Sequence, residues 1–246
     1  MLKGTIPLEE TVRVNPYIRI ISLAWFKLKR PFLLHRVRHP ALEYIDAVPM
    51  LSLPDVLNPV VFRGGSLMAR TVANSPLAAP SSTGAPRALD MGTGAGAGAI
   101  FAARRGYQVV GVDLNPEAVR CARLNVILNN LEDHVDIRHG DLFAPVEGER
   151  FSLVLFNPPF FRGKPKDLLD LAWRGTDVLE RFATELPSVL EPEGKALILL
   201  STDGDAAGML QALHANHLIV EPVIRKHFGN EIMTIYSARR PSTAAA

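Results

Sequence analysis

Residues 88–96 read Ala88-Leu89-Asp90-Met91-Gly92-Thr93-Gly94-Ala95-Gly96. A short apolar run ends in an acid and then breaks into alternating glycines. Ala88–Met91 predicts a strand, and the residues beyond Gly96 predict a helix to about Arg105. Glycines between strand and helix let the backbone turn tightly and pass close to a ligand, beside the free N–H groups of the helix start. Beyond a plain tight turn, such a segment suits two ligands: a dinucleotide, with pyrophosphate on the helix N-terminus, or S-adenosylmethionine (SAM). Asp90 favours SAM. A carboxylate ahead of the first glycine can meet the cationic methionine end and is a poor neighbour for pyrophosphate. The Gly92-x-Gly94-x-Gly96 spacing also departs from the Gly-x-Gly-x-x-Gly dinucleotide pattern.

Working outward, Gln108–Val112 predicts a second strand with Asp113 at its tip. An acid there, about 20 residues past the glycine turn, is placed to accept from both ribose hydroxyls. That feature is shared with NAD enzymes and does not choose the cofactor. Leu114 is placed to pack under adenine. Asn115, Pro116 and Glu117 form the capped start of the next helix. Val135–Arg138 predicts a third strand, followed by Gly140-Asp141-Leu142. Asp141 is either the acceptor for the adenine amino group or a solvated turn carboxylate. Ser152–Phe156 is apolar on both faces and predicts a central fourth strand.

That fourth strand runs into Asn157-Pro158-Pro159-Phe160. Strand carboxyl ends line the usual ligand crevice of a parallel sheet. An amide or aromatic amino nitrogen is a poor nucleophile, because its lone pair is delocalised. A catalyst must hold it with acceptors that favour a pyramidal, lone-pair-out geometry. The Asn157 side-chain oxygen and the Pro158 carbonyl suit that task, and two prolines preorganise the loop. Phe160 offers a flat face for a planar acceptor. The bland alternative is a proline-rich turn ending a buried strand.

Further on, a helix over Thr176–Leu190, a strand at Lys195–Leu200 and a helix at Asp205–Ala215 are expected. Ile219–Phe228 and Glu231–Ala238 read as strands joined by Gly229-Asn230, an antiparallel hairpin at the sheet edge. The alternation predicts an α/β fold: a doubly wound, seven-stranded, mostly parallel sheet with an antiparallel C-terminal hairpin. Residues 1–50 are expected to form a short basic extension, 51–240 the catalytic domain and 241–246 a frayed tail.

The rest of the composition narrows function by exclusion. The chain has 246 residues, is 48% hydrophobic and carries a formal charge of +2, so no whole-protein basic field is present. Cys121 is the single cysteine, which excludes an internal disulfide framework or a multi-cysteine zinc site. His214 and His217 share a helix without a third ligand, so no metal is expected. No signal peptide or membrane span is apparent, and a cytoplasmic location is expected. Tyr17–Arg30 mixes cations with aromatics, which suits an RNA- or protein-substrate groove, an amphipathic segment packed on the core or, as a minor option, a membrane-surface helix. Phe161–Lys166 reads as a flexible basic lid or a solvated loop.

The order DMGTGAG, VVGVDLNPEA, HGDLF, FNPPFF, with Ala122-Arg123-Leu124-Asn125 and Gly175-Thr176-Asp177, resembles the class I SAM-dependent methyltransferases that carry an Asn-Pro-Pro-aromatic motif. Within that class it is similar to release-factor glutamine methyltransferases and to enzymes that modify adenine or guanine amino groups in RNA. The resemblance covers about residues 50–240. It implies that Asp90 and the glycines Gly92, Gly94 and Gly96 hold the methionine end of SAM, Asp113 the ribose and Asp141 the adenine, with Thr93, Leu114 and Leu142 also in the cofactor site. It further implies that Asn157, Pro158 and Phe160 hold the acceptor. The Pro-Arg-Pro-Glu-Thr-like segment of the glutamine enzymes is not reproduced at Asn58–Ser66, so a release factor is not singled out over RNA. Cys121 falls away from the site, which disfavours cytosine-C5 chemistry. The rival expectations are transfer to a small planar metabolite, an NAD-dependent oxidoreductase and a non-catalytic SAM-binding subunit. Oligomeric state is not legible.

Overall fold

The computed structural model describes residues 39–74, 84–229 and 231–241. The basic stretch Tyr17–Arg30, most of the Ser/Pro-rich segment, Asn230 and the Ala-rich end lie outside those residues. In chain order the elements are a hairpin of β1 (Ala41–Ile45) and β2 (Val48–Ser52), then α1 (Gly64–Asn74) and β3 (Arg87–Met91). Next come α2 (Ala97–Ala103), β4 (Gln108–Asp113), α3 (Pro116–Leu128), β5 (Val135–His139) and β6 (Phe151–Phe156). Two short pieces, β7 (Phe161–Arg162) and β8 (Arg174–Gly175), precede α4 (Val178–Val189) and β9 (Leu190–Ser201). The fold closes with α5 (Ala206–Ala215), β10 (Ile219–His227) and β11 (Ile232–Arg239).

Seven strands form one sheet in the order β10-β11-β9-β6-β3-β4-β5. The pairs β6–β9, β3–β6, β3–β4 and β4–β5 are parallel, and β11 is antiparallel to both β9 and β10. The expected C-terminal hairpin therefore folds back: β11 inserts beside β9 and leaves β10 as the edge. β6 is buried along its whole length, as its run of apolar residues requires. One face of the sheet packs α1, α2 and α3 through Met68, Ile100 and Val119, and the other packs α4 and α5 through Phe182, Leu186 and Met209.

The start of α3 follows from its sequence. The Asn115 side chain accepts from the Glu117 N–H at 3.0 Å, Pro116 occupies the first turn, and Glu117 pairs with Arg120 at 2.9 Å.

The hairpin crosses residue 50, where the extension was expected to end: Met50 pairs with Glu43 and Leu51 with Leu42. Ile45 and Met50 are fully buried in the same core as α1–α3. Asn125 of α3, itself buried, completes the attachment. Its Oδ1 accepts from the Leu51 N–H at 2.6 Å, and its Nδ2 donates to the carbonyls of Leu51 at 2.7 Å and Ala95 at 2.8 Å. One amide thus joins the hairpin to the glycine turn.

The connections from β3 go to β4 on one side, while β6 enters on the other, so the strand order reverses between β3 and β6. That reversal opens a crevice at the carboxyl ends. Met91 and Phe156 are paired across it, which sets the glycine turn beside Asn157.

Candidate active site

The glycine turn has left-handed backbone at Gly92 (φ 62°), Gly94 (φ 57°) and Gly96 (φ 85°), which explains glycine at those positions. Asp90 lies beneath the turn and is buried. Its Oδ2 accepts from Thr93 Oγ1 at 2.7 Å and from the Ala99 N–H at 2.8 Å. A β-carbon on Gly98 would collide with the Asp90 carboxylate. Burial pushes the Asp90 carboxyl up to about 7, against the Thr93 and Ala99 bonds that favour its charged form. The Asp113 charge adds a smaller push in the same direction.

Asp113 ties the turn to the tip of β4. Oδ2 accepts from the Gly94 N–H at 2.8 Å and Oδ1 from the Asn115 N–H at 2.9 Å. Its carboxyl is also raised by burial, opposed by those two bonds and by nearby His139. Asp141 follows β5 and is joined by Arg181 of α4, whose Nη2 donates to Oδ2 at 2.6 Å. Its neighbour Leu142 is buried with φ 44°, an uncommon conformation for leucine that aims this turn. Leu114 is 46% exposed at the rim.

Asn157 closes the far side. Its Oδ1 is buried and meets no hydrogen-bond donor. Gly64, at the start of α1, lies against its side-chain amide. A buried carbonyl oxygen without a partner is costly, and in a crevice it is a ready acceptor for a ligand N–H.

These parts surround one cavity of about 340 Å³. Of the expected residues, Asp90, Gly92, Thr93, Gly94, Asp113, Leu114, Asp141, Leu142 and Asn157 line it. Gly96, Pro158 and Phe160 are not among the lining residues. Phe160 packs instead against the α1–α3 side of the core. Its carbonyl accepts from the Asp205 N–H at 3.1 Å. Arg162 then pairs with Asp205 and with Glu180, both at 2.6 Å. The loop after Asn157 is therefore fastened to α4 and α5.

Several lining residues had no site role assigned from the sequence. Leu57, Pro59 and Phe62 form a wall before α1, and Ala172, Arg174 and Asp177 another before α4. Phe62 meets the edge of Trp173, with centroids 5.0 Å apart at 75°. Asn58, fully buried, shapes the first wall by accepting from the N–H groups of Val60 and Val61 at 2.9 and 3.0 Å. An Asn-Pro pair ahead of a helix was the available clue to that bend.

Cys121 is buried in α3 with its thiol pushed up to about 11 by burial, which leaves it a poor nucleophile. Among the described residues, no group of three His, Cys, Asp or Glu stands close enough to hold a metal, and no helix is long and apolar enough to cross a membrane.

The sheet order and crevice define a class I methyltransferase fold, and the comparisons agree. The chain belongs to the Methyltransferase small domain family, which it matches over residues 64–233. It is 38% identical over 108 residues to a ribosomal RNA small subunit methyltransferase C of Alcanivorax borkumensis, covering 44% of this chain and 30% of that protein. It is 30% identical over 170 residues to the release factor glutamine methyltransferase of Clostridium acetobutylicum, covering 62% and 59%. The match thus spans less than two thirds of the length of these curated relatives. In fold it is similar to a 16S rRNA N2 methyltransferase of T. thermophilus solved with AdoMet and guanosine, with a TM-score of 0.62 and 20% identity over 82% of this chain and 50% of that one.

Proposed function

We propose that the chain is a SAM-dependent N-methyltransferase whose acceptor is a planar amide or exocyclic amino nitrogen in a protein or an RNA, acting in the cytoplasm. The observation that carries this reading is that Asn157, whose buried Oδ1 meets no hydrogen-bond donor, lines the same cavity as the glycine turn and the carboxylates of Asp90, Asp113 and Asp141. The residues present fit the cofactor. In this reading Asp113 takes the ribose diol, Asp141 the adenine amino group and Asp90 the methionine end. Named relatives act on RNA and on a protein glutamine. Both acceptor types present a planar nitrogen.

When bound, SAM supplies an electrophilic methyl group. The chain's own residues do the rest. Asn157 Oδ1 accepts from an N–H of the acceptor and turns the nitrogen lone pair out of conjugation, toward the cofactor end. The Asp205 and Arg162 contacts keep the Asn157 loop in place while the nitrogen gains positive charge. The nitrogen's surplus proton leaves after transfer, so no strongly perturbed base is required. Phe62 supplies the flat apolar wall that the sequence assigned to Phe160. The catalytic unit in this reading begins at β1 rather than at residue 51, because Asn125 holds the hairpin and the glycine turn together.

The test is ligand-dependent melting. SAM and S-adenosylhomocysteine should raise the melting temperature by mass action, and NAD and NADP should not. Methyl transfer to extract RNA and protein, read by mass spectrometry, then identifies the acceptor. Stabilisation by NAD alone would overturn the reading.

A further inference from the structure

The Arg181–Asp141 ion pair has no part in the chemistry above, yet both residues line the cavity. Asp141 stands on the turn after β5. Arg181 reaches it from α4, across the end of the sheet, with Nη2 at 2.6 Å from Oδ2. The same guanidinium faces Asp177, just before α4, with Nη1 at 3.7 Å from Oδ1. Asp177 lines the cavity as well. Arg181 thus bridges two carboxylates through its two terminal nitrogens.

An isolated turn carboxylate rotates about two side-chain bonds, and its oxygens sample many directions. A guanidinium engaged with one oxygen restricts that rotation and leaves the second oxygen to accept from a ligand. At Asp141 the engaged oxygen is Oδ2 and the second one is Oδ1. A carboxylate has acceptor oxygens only. Held in one orientation, it accepts from an amino group but meets a carbonyl lone pair to lone pair.

We propose that Arg181 is a positioning residue that sets base specificity in the cofactor site, by fixing Asp141 as an acceptor for the 6-amino group of adenine and against a 6-oxo purine. The proposal rests on the SAM reading of the preceding subsection. It assigns a role to a residue outside the glycine turn, the β4 tip and the Asn157 loop.

The experiment is calorimetric binding of S-adenosylhomocysteine and S-inosylhomocysteine to the full chain and to Arg181→Met and Arg181→Lys. The wild type should prefer the adenosyl ligand by at least about tenfold, as sites built around a ligand N–H do. Arg181→Met should weaken the adenosyl ligand by about tenfold, the loss of one charge-assisted contact, and leave the inosyl ligand within about twofold. The preference then collapses, and Arg181→Lys should keep part of it. The Arg181 side chain is 39% exposed, so neither variant opens a core cavity, and melting curves check this. Equal weakening of both ligands is what a merely structural arginine gives, and it would overturn the proposal. Unchanged adenosyl binding in Arg181→Met would overturn it too. Failure of the wild type to bind S-adenosylhomocysteine at all would overturn the SAM reading itself, an outcome distinct from either.

Discussion

A β-carbon placed on Gly64 would stand 3.1 Å from the side-chain nitrogen of Asn157 and 3.4 Å from its oxygen. The first turn of α1 is therefore the floor on which the Asn157 amide rests. Those distances are tighter than ordinary contact, so an added methyl must move the amide by a few tenths of an ångström. Alanine is otherwise welcome in a helix, by roughly 0.5–1 kcal/mol over glycine. Gly64→Ala should thus keep or raise the melting temperature while lowering kcat roughly tenfold, a modest case of misplacement at a reacting centre. Unchanged turnover would show that Asn157 needs no such floor.

Asn157→Ala tests the acceptor directly. Removing one preorganised acceptor should lower kcat by about two orders of magnitude. SAM affinity by calorimetry should stay near wild type, because the interaction matters chiefly as the nitrogen attacks. Phe160→Ala should behave differently, lowering the melting temperature through its core contacts. Near-wild-type single turnover in Asn157→Ala would leave the loop as a strand terminator only.

The buried Asp90 predicts a pH dependence with a definite sign. Its carboxyl is raised from 3.8 to about 7 in the folded chain. The folded state therefore holds a proton that the unfolded state releases between those values. Stability from this group is fully present below about 4 and is lost as pH rises through about 7. A cationic ligand group beside Asp90 favours the charged form. SAM affinity should accordingly rise with pH up to about 7, by at most about tenfold per pH unit, and then level off. Calorimetry across that window should find the slope in wild type and not in Asp90→Asn. A flat wild-type profile would remove Asp90 from the methionine end.

Asn125, fully buried, bonds three backbone groups of the hairpin and the glycine turn. Asn125→Ala strands the N–H of Leu51 and the carbonyl of Ala95, at about 1–3 kcal/mol for each buried group left unpaired, while the Leu51 carbonyl keeps the Cys121 thiol at 3.3 Å. The urea midpoint should fall by the equivalent of about 2 kcal/mol or more, and SAM affinity should fall with it, because Ala95 lies inside the glycine turn. An unchanged midpoint would mean that water replaces the amide.

What was legible in the sequence was local. Glycines forced into left-handed backbone, an acid at a strand tip and a proline-stiffened asparagine each act within a few residues, so their spacing betrays them. The sheet was legible for the same reason, since apolar runs alternate with capped helices. What escaped depends on partners far along the chain. Nothing near Arg181 signals that it meets Asp141, and nothing near Leu51 signals that an amide in α3 completes its pairing. Phe160 does not line the cavity, and a ring beside a motif has two faces of the loop to choose from. The tie between its carbonyl and the Asp205 N–H accompanies the choice of the core.

The strand order carries a consequence for the chain during synthesis. β3 pairs with β4 soon after both have emerged, but its other neighbour, β6, comes only after α3 and β5. Until Phe151–Phe156 is made, the nascent chain presents β3 as an open edge with apolar side chains, the kind of surface that templates pairing between molecules. A chain cut before Phe151 keeps that edge permanently and should self-associate, and one that stops at Phe156 moves the open edge to β6 until β9 is made.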